Sequence, residues 1–227
     1  MLIEIPGVLS RREVADLRAI IDRAAWTDGR DTAGTQSEQV KNNEQIPEDS
    51  PAAPAARAIV SRGLSQSALF FSAALPRRIY PALFNRYSGA SNTFGNHVDN
   101  AVRTFKATGE RVRTDLSATL FLTEPEDYDG GELVIEDTFG AHRVKLRAGH
   151  MILYPSSSVH RVEPVTRGAR VSSFFWLESM VRETERRRVL FDLDMAILRL
   201  RESAGDTAPV VSLTGTYHNL LRMWADS

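Results

Sequence analysis

The sequence predicts a mainly β protein with flanking helices. Three observations lead there. Between residues 79 and 178, short apolar or alternating runs are broken by Gly130-Gly131, Gly140, Gly149 and Pro155. Many short strands at a spacing of roughly 10 residues indicate a sandwich or barrel. On either side of this stretch the apolar residues recur at helical spacing instead. The length of 227 residues, 42% apolar and 25% charged, suits one large domain with a sizeable core.

Residues 10–24 read as an amphipathic helix. Ser10 and Glu13 match the S-x-x-E capping box, in which each side chain satisfies a backbone N–H at the helix start. Val14, Leu17, Ile21 and Ala24 then mark one face. From Thr27 to Pro54 the chain turns polar, which predicts a long loop with a short strand around Val40. A loop of that length is either a lid over a site or a plain surface excursion. Residues 55–73 read as a second helix, rich in alanine. Strands are expected at 116–122, 132–135, 144–146, 151–154 and 171–177. Helix returns after Glu178: Leu190, Leu193, Ile197 and Leu200 mark one stripe, and Tyr217, Leu220, Leu221 and Trp224 another. A polar linker at 202–209 separates them. The expected division is 1–78 for N-terminal helices and polar loop packing on the core, 79–178 for the β core, and 179–227 for a C-terminal helical extension. The last two helices either cover the β core or form the interface of a homo-oligomer.

Composition removes several classes of function. With 28 basic and 29 acidic residues the net charge is −1, so no global field holds nucleic acid or an anionic membrane. No apolar run approaches the roughly 20 residues that span a bilayer. The opening residues lack a basic segment followed by an apolar one, so no secretory leader is expected. There is no cysteine, which excludes disulfides, Cys–zinc sites, iron–sulfur clusters and thiol catalysis. A cytoplasmic protein without nucleic-acid or membrane partners is expected. The arginine cluster at 186–188, with Glu183 and Glu185 close by, reads as a solvated helix face.

The chemistry gathers around His97 and Asp99. In a strand, residues two apart share a face, so both side chains can aim into the mouth of a barrel. An imidazole beside a carboxylate suits a divalent metal. A histidine from a distant strand would complete a 2-His-1-carboxylate triad, which leaves positions open on a non-haem Fe(II). His160 is the best candidate, because it follows the turn 155–158 and opens a further strand. Arg170 comes ten residues later, at the start of the last apolar strand. A guanidinium held deep in a barrel is a fixed fork for a carboxylate. An O2-activating Fe(II) needs two more electrons than the substrate supplies. A 2-oxo acid bound by its C1 carboxylate and keto oxygen can supply them by decarboxylation, and its far carboxylate then needs a cation. No one of these features is specific alone; their joint order is.

In this arrangement the sequence resembles the Fe(II)/2-oxoglutarate dioxygenases of the prolyl-hydroxylase type. The resemblance rests on Tyr87-Ser88-Gly89, His97-Val98-Asp99-Asn100, Gly130-Gly131-Glu132-Leu133, Tyr154-Pro155-Ser156, His160 and Arg170. The flanks are similar to the bacterial PKHD-type hydroxylases, a group with members linked to iron and siderophore uptake. They are Thr32-Ala33-Gly34 with Lys41-Asn42-Asn43, the run from Arg187 to Asp194, and the run from Tyr217 to Trp224. The resemblance implies a double-stranded β-helix, or jelly-roll, core. It implies Fe(2+) held by His97, Asp99 and His160, with no catalytic residue beyond these ligands. Arg170 would bind the C5 carboxylate of 2-oxoglutarate and Tyr87 would hydrogen-bond the co-substrate. L-ascorbate would support turnover by rescuing over-oxidised iron. The implied reaction consumes O2 and hydroxylates a peptidyl or small peptide-like, siderophore-related substrate, with release of succinate and CO2. A metal- and 2-oxo-acid-binding sensor without turnover, or a structural jelly roll with an empty site, would use the same fold.

Other polar residues draw blander readings. His142 alternates with Val144 and Leu146 and should face solvent. His150 departs from the family pattern and is expected to face out. His218 reads as packing or capping, and Glu132 and Glu136 as solvent-facing charges. Phe174 and Trp176 alternate with Phe175, so one set faces the barrel interior. Asn96 and Asn100 orient ligands or simply serve the turn.

Overall fold

The computed structural model describes residues 1–32, 35–106 and 108–226. Ala33 and Gly34 of the first flanking motif lie outside them. The fold is mainly β with flanking helices. An eight-stranded antiparallel sheet runs in the order Ile3–Ile5, Met151–Pro155, Leu116–Phe121, Ala169–Ser179, Leu83–Ser88, Glu44–Gln45 and Thr27–Asp28, with Pro76–Ile79 also pairing Ala169–Ser179. A five-stranded antiparallel sheet runs Gly140–Val144, Leu133–Asp137, His160–Val162, Thr93–His97 and Lys41–Asn42.

Alternation along the strands decides what each face meets. In the large sheet Ala118, Leu120, Leu153, Val171, Phe175 and Leu177 join one buried cluster with Leu17, Ile21, Ala56, Val60 and Phe70 from the helices. The residues between them point the other way. Phe121, Ile152 and Tyr154 meet Leu133, Ile135 and Val162 of the small sheet. Helices therefore cover the outside of the large sheet, and the two sheets enclose the second core.

The first helix, Arg11–Ile21, carries the capping box complete: Ser10 and Glu13 bond reciprocally. Val14, Leu17 and Ile21 are its buried face. The expected second helix is two helices, Ala53–Gln66 and Ala68–Ala74. The break is at Ser67, whose hydroxyl accepts the Phe70 N–H and so caps the second piece. The polar segment after Thr27 is neither a free loop nor a plain surface excursion. It adds Lys41–Asn42 to the edge of the small sheet and Glu44–Gln45 to the large one, tying the two together. Lys41, Asn43 and Gln45 are buried as a result.

Thr184–Ala204 and Ala208–Trp224 form a helical hairpin turned at Gly205, whose φ of 71° is a left-handed conformation that glycine adopts freely. Leu190, Ile197, Val210 and Tyr217 pack between them and against Leu75 and Val181. The hairpin rests against helix Ala68–Ala74. Arg187 is not solvated, as the cluster suggested, but 1% exposed. Its guanidinium donates to the carbonyls of Val181 and Arg182 and to the Thr184 hydroxyl, closing the turn that leads into the hairpin. Among the described residues, no helix is long and apolar enough to cross a membrane.

Candidate metal and oxo-acid site

His97 ends strand Thr93–His97 and His160 opens the neighbouring strand, and the two are direct register partners. Their ring centroids lie 4.1 Å apart. Asp99 follows in the loop after His97. One ligand atom from each of the three residues lies within 4.8 Å of the others. His97 Nδ1 is 2.8 Å from the Gly95 carbonyl oxygen, and His160 Nδ1 is 3.0 Å from that of Ser158. These bonds fix Nδ1 as the protonated nitrogen and leave Nε2 as the free lone pair on both rings. His160 Nε2 stands 3.6 Å from Asp99 Oδ2. The same carboxylate oxygen accepts a 2.6 Å bond from the Ser117 hydroxyl, which is 2.7 Å from that of Ser156. Burial, and then the neighbouring His160, push His97 down to about 4, so its imidazole is neutral at ordinary pH. Two imidazoles and a carboxylate on one side form a donor set for a divalent metal. Phe94 stacks on the His97 ring at 3.6 Å and holds its plane.

Arg170 lies in the same cleft, whose cavity volume is about 70 Å³. Arg170 is 1% exposed and pairs across the strands with Tyr87. Its Nη1 donates to Ser172 Oγ, which donates to Asn85 Oδ1; Asn85 Nδ2 reaches the Tyr87 hydroxyl at 3.4 Å. Its Nε has no hydrogen-bond partner. Among the described residues, none forms an ion pair with it. The guanidinium instead sits 5.2 Å from the Tyr87 ring centre and 5.0 Å from that of Phe121. A buried cation without an anion is costly unless a ligand supplies one. The arrangement therefore fits a carboxylate held at Arg170 while another part of the same molecule reaches the three metal donors. Gly131 packs against this arginine: a Cβ there would meet Arg170 Cδ at 3.1 Å and the Tyr128 ring at 3.0 Å. The Gly-Gly turn leaves the room that the arginine stem and the tyrosine ring fill.

The five residues that the sequence singled out thus line one cleft. The other histidines are elsewhere. His142 is exposed against Asp137, His150 lies 3.3 Å from Glu4, and His218 meets the edge of Tyr217. Glu136 pairs with Arg161. Asn100 lines the cleft, whereas the Asn96 side chain accepts from Arg161. Phe174 and Trp176 are the pair that faces inward, and both line the cleft. Sequence reasoning missed Asn85, Ser117 and Ser172, and gave Ser156 of the Tyr154-Pro155-Ser156 motif no role. The strand alternation Asn85/Tyr87 and Arg170/Ser172 was the signal that could have found two of them.

Two segments match known families: residues 82–178 the 2OG-Fe(II) oxygenase superfamily, and residues 185–226 the PKHD-type hydroxylase C-terminal domain. The chain is 60% identical to a PKHD-type hydroxylase of Phenylobacterium zucineum and 56% identical to one of a Polaromonas species, covering 100% of both chains in each case. Among solved structures, it is similar to a prolyl hydroxylase from Trichoplax adhaerens in complex with a hypoxia-inducible-factor peptide fragment. That match has a TM-score of 0.58 and 13% identity and covers 83% of this chain and 86% of that one. A Streptomyces hygroscopicus protein, HygX, with nickel, 2-oxoglutarate and hygromycin B bound matches with a TM-score of 0.53 and 16% identity, covering 80% and 84%. At these identities the solved structures show a shared jelly-roll fold.

Proposed function

Because the chain belongs to the PKHD-type hydroxylases of the 2OG-Fe(II) oxygenase superfamily, we propose that His97, Asp99 and His160 hold its Fe(II) and that Arg170, with Tyr87, holds the C5 carboxylate of 2-oxoglutarate. The substrate in this reading is a peptidyl or small peptide-like, siderophore-related molecule, hydroxylated with release of succinate and CO2. The observation that carries it is a buried guanidinium without a carboxylate in the same cleft as three metal donors.

When bound, iron with 2-oxoglutarate supplies the oxidising chemistry. The chain supplies placement. The Gly95 and Ser158 carbonyls hold the two imidazoles with Nε2 inward, and Ser117 turns the Asp99 carboxylate. Arg170 offers a fork of fixed geometry, and Ser172 and Asn85 brace it. Burial raises the Tyr87 hydroxyl above its ordinary range, so it stays protonated and can donate to a carboxylate. Phe94, Phe174 and Trp176 make the cleft walls apolar and limit the entry of water. A cytoplasmic setting, with ascorbate sustaining turnover, belongs to the same reading.

The test is metal content together with 2-oxoglutarate decarboxylation. His160→Ala is expected to lose most bound iron and to slow decarboxylation by about 100-fold or more. Equal iron and equal decarboxylation in the two proteins would refute the ligand assignment. Screening peptides and hydroxamate-type chelators for stimulated succinate release addresses the substrate.

A further inference from the structure

Asn43 is a buried amide that the reading above leaves unused. It is the residue at which the polar segment crosses from the edge of the small sheet, Lys41–Asn42, to the large one, where Glu44–Gln45 lies between Leu83–Ser88 and Thr27–Asp28. It is 2% exposed and lines the cleft, and neither Oδ1 nor Nδ2 makes a well-formed hydrogen bond, although the amide lies against the Tyr87 hydroxyl. Such orphaned buried atoms are rare in folded proteins and call for an explanation.

The surroundings of the amide say which of its ends is available. The Gly29 N–H donates to the Asn43 backbone carbonyl at 2.8 Å. A Cβ on Gly29 would lie 1.8 Å from Asn43 Oδ1. The side-chain oxygen is therefore walled in by the Gly29 backbone. The NH2 group is left beside the Tyr87 hydroxyl, whose ring neighbours Arg170. It can only donate. A 2-oxo diacid presents only acceptors: two carboxylates and a keto oxygen. We propose that Asn43, oriented by Gly29, is a co-substrate-binding residue whose NH2 donates to 2-oxoglutarate alongside Tyr87. The polar segment then completes the co-substrate pocket instead of merely covering it. This inference rests on the proposed function.

The experiment titrates 2-oxoglutarate anaerobically into the Fe(II)-loaded full chain and follows the charge-transfer absorption of the chelate. Iron content is measured in parallel. Asn43→Ala is expected to raise the Kd for 2-oxoglutarate about 10-fold, which corresponds to about 1.4 kcal/mol, with iron content unchanged. Asn43→Asp keeps the shape but replaces the donor with an anion, and should weaken binding further. Gly29→Ala should reproduce the Asn43→Ala effect, and the double variant should be no weaker than the weaker single variant, because Gly29 acts through Asn43. An unchanged Kd in both Asn43 variants, or Gly29 and Asn43 effects that simply add, would overturn the proposal. A wild-type chain that holds iron but binds no 2-oxoglutarate would overturn the functional reading as well, which separates the two failures. Melting temperatures of the variants identify any that fail to fold; Asn43→Ser, smaller and still polar, then carries the titration.

Discussion

Arg170 and Arg187 are both 1% exposed, and they differ in what they face. Arg187 spends its donors on the chain itself, on two carbonyls and a threonine hydroxyl. Replacing it with methionine leaves those carbonyls buried without a donor, and should destabilise the fold by about 3 kcal/mol in denaturant unfolding while leaving 2-oxoglutarate affinity unchanged. Both leave Nε without a partner, but Arg170 alone lies in the cleft of the three metal donors, where a ligand can reach it. Arg170→Lys should fold normally yet raise the Kd for 2-oxoglutarate by about 10- to 100-fold, because an ammonium cannot reproduce the two-pronged fork. Arg170 was legible in the sequence through its place on the last strand, ten residues beyond His160. The burial of Arg187 was not: three consecutive arginines among glutamates look solvated, and its acceptors are backbone carbonyls that no side-chain pattern encodes.

Among elements, local chemistry was the most readable. The Ser10/Glu13 box needs only four consecutive residues, and the structure contains it complete. Ser10→Ala should cost about 1 kcal/mol, measured by thermal or urea unfolding. Of the strands of the polar segment, the one expected around Val40 is present as Lys41–Asn42, while the others escaped sequence reading because two-residue strands carry no periodicity. Their existence depends on register with Thr93–His97 and Leu83–Ser88, far along the chain. The split of the second helix was masked by its alanine-rich composition, although Ser67 is an N-cap residue type. Gly149 shows how tightly elements meet. Its φ is +87°, and an added Cβ would lie 2.2 Å from the Leu9 carbonyl oxygen. Gly149→Ala should therefore destabilise the protein by about 2 kcal/mol or more, seen as a lower midpoint in urea.

At the scale of the whole molecule, the mainly β architecture with flanking helices follows from the change in apolar period near residue 80, and the jelly roll followed from resemblance. The docking of the C-terminal hairpin was open in the sequence, since its two stripes suit the β core, a partner subunit or each other. They pack mainly against each other and on Leu75 and Val181. Removing the hairpin exposes those two fully buried side chains. At about 2 kcal/mol for each, the melting temperature should fall by about 10 °C, which calorimetry would register. The N-terminal 45 residues have a consequence of a different kind. They provide both outer strands of the large sheet and one of the small sheet. As the ribosome releases the chain, these residues emerge before their partners at 83–88, 93–97 and 151–155. These strands must therefore wait, unzipped, until their partners have been made. Assembly closes by threading these strands onto a sheet built from later residues, a pairing of high contact order that folds slowly.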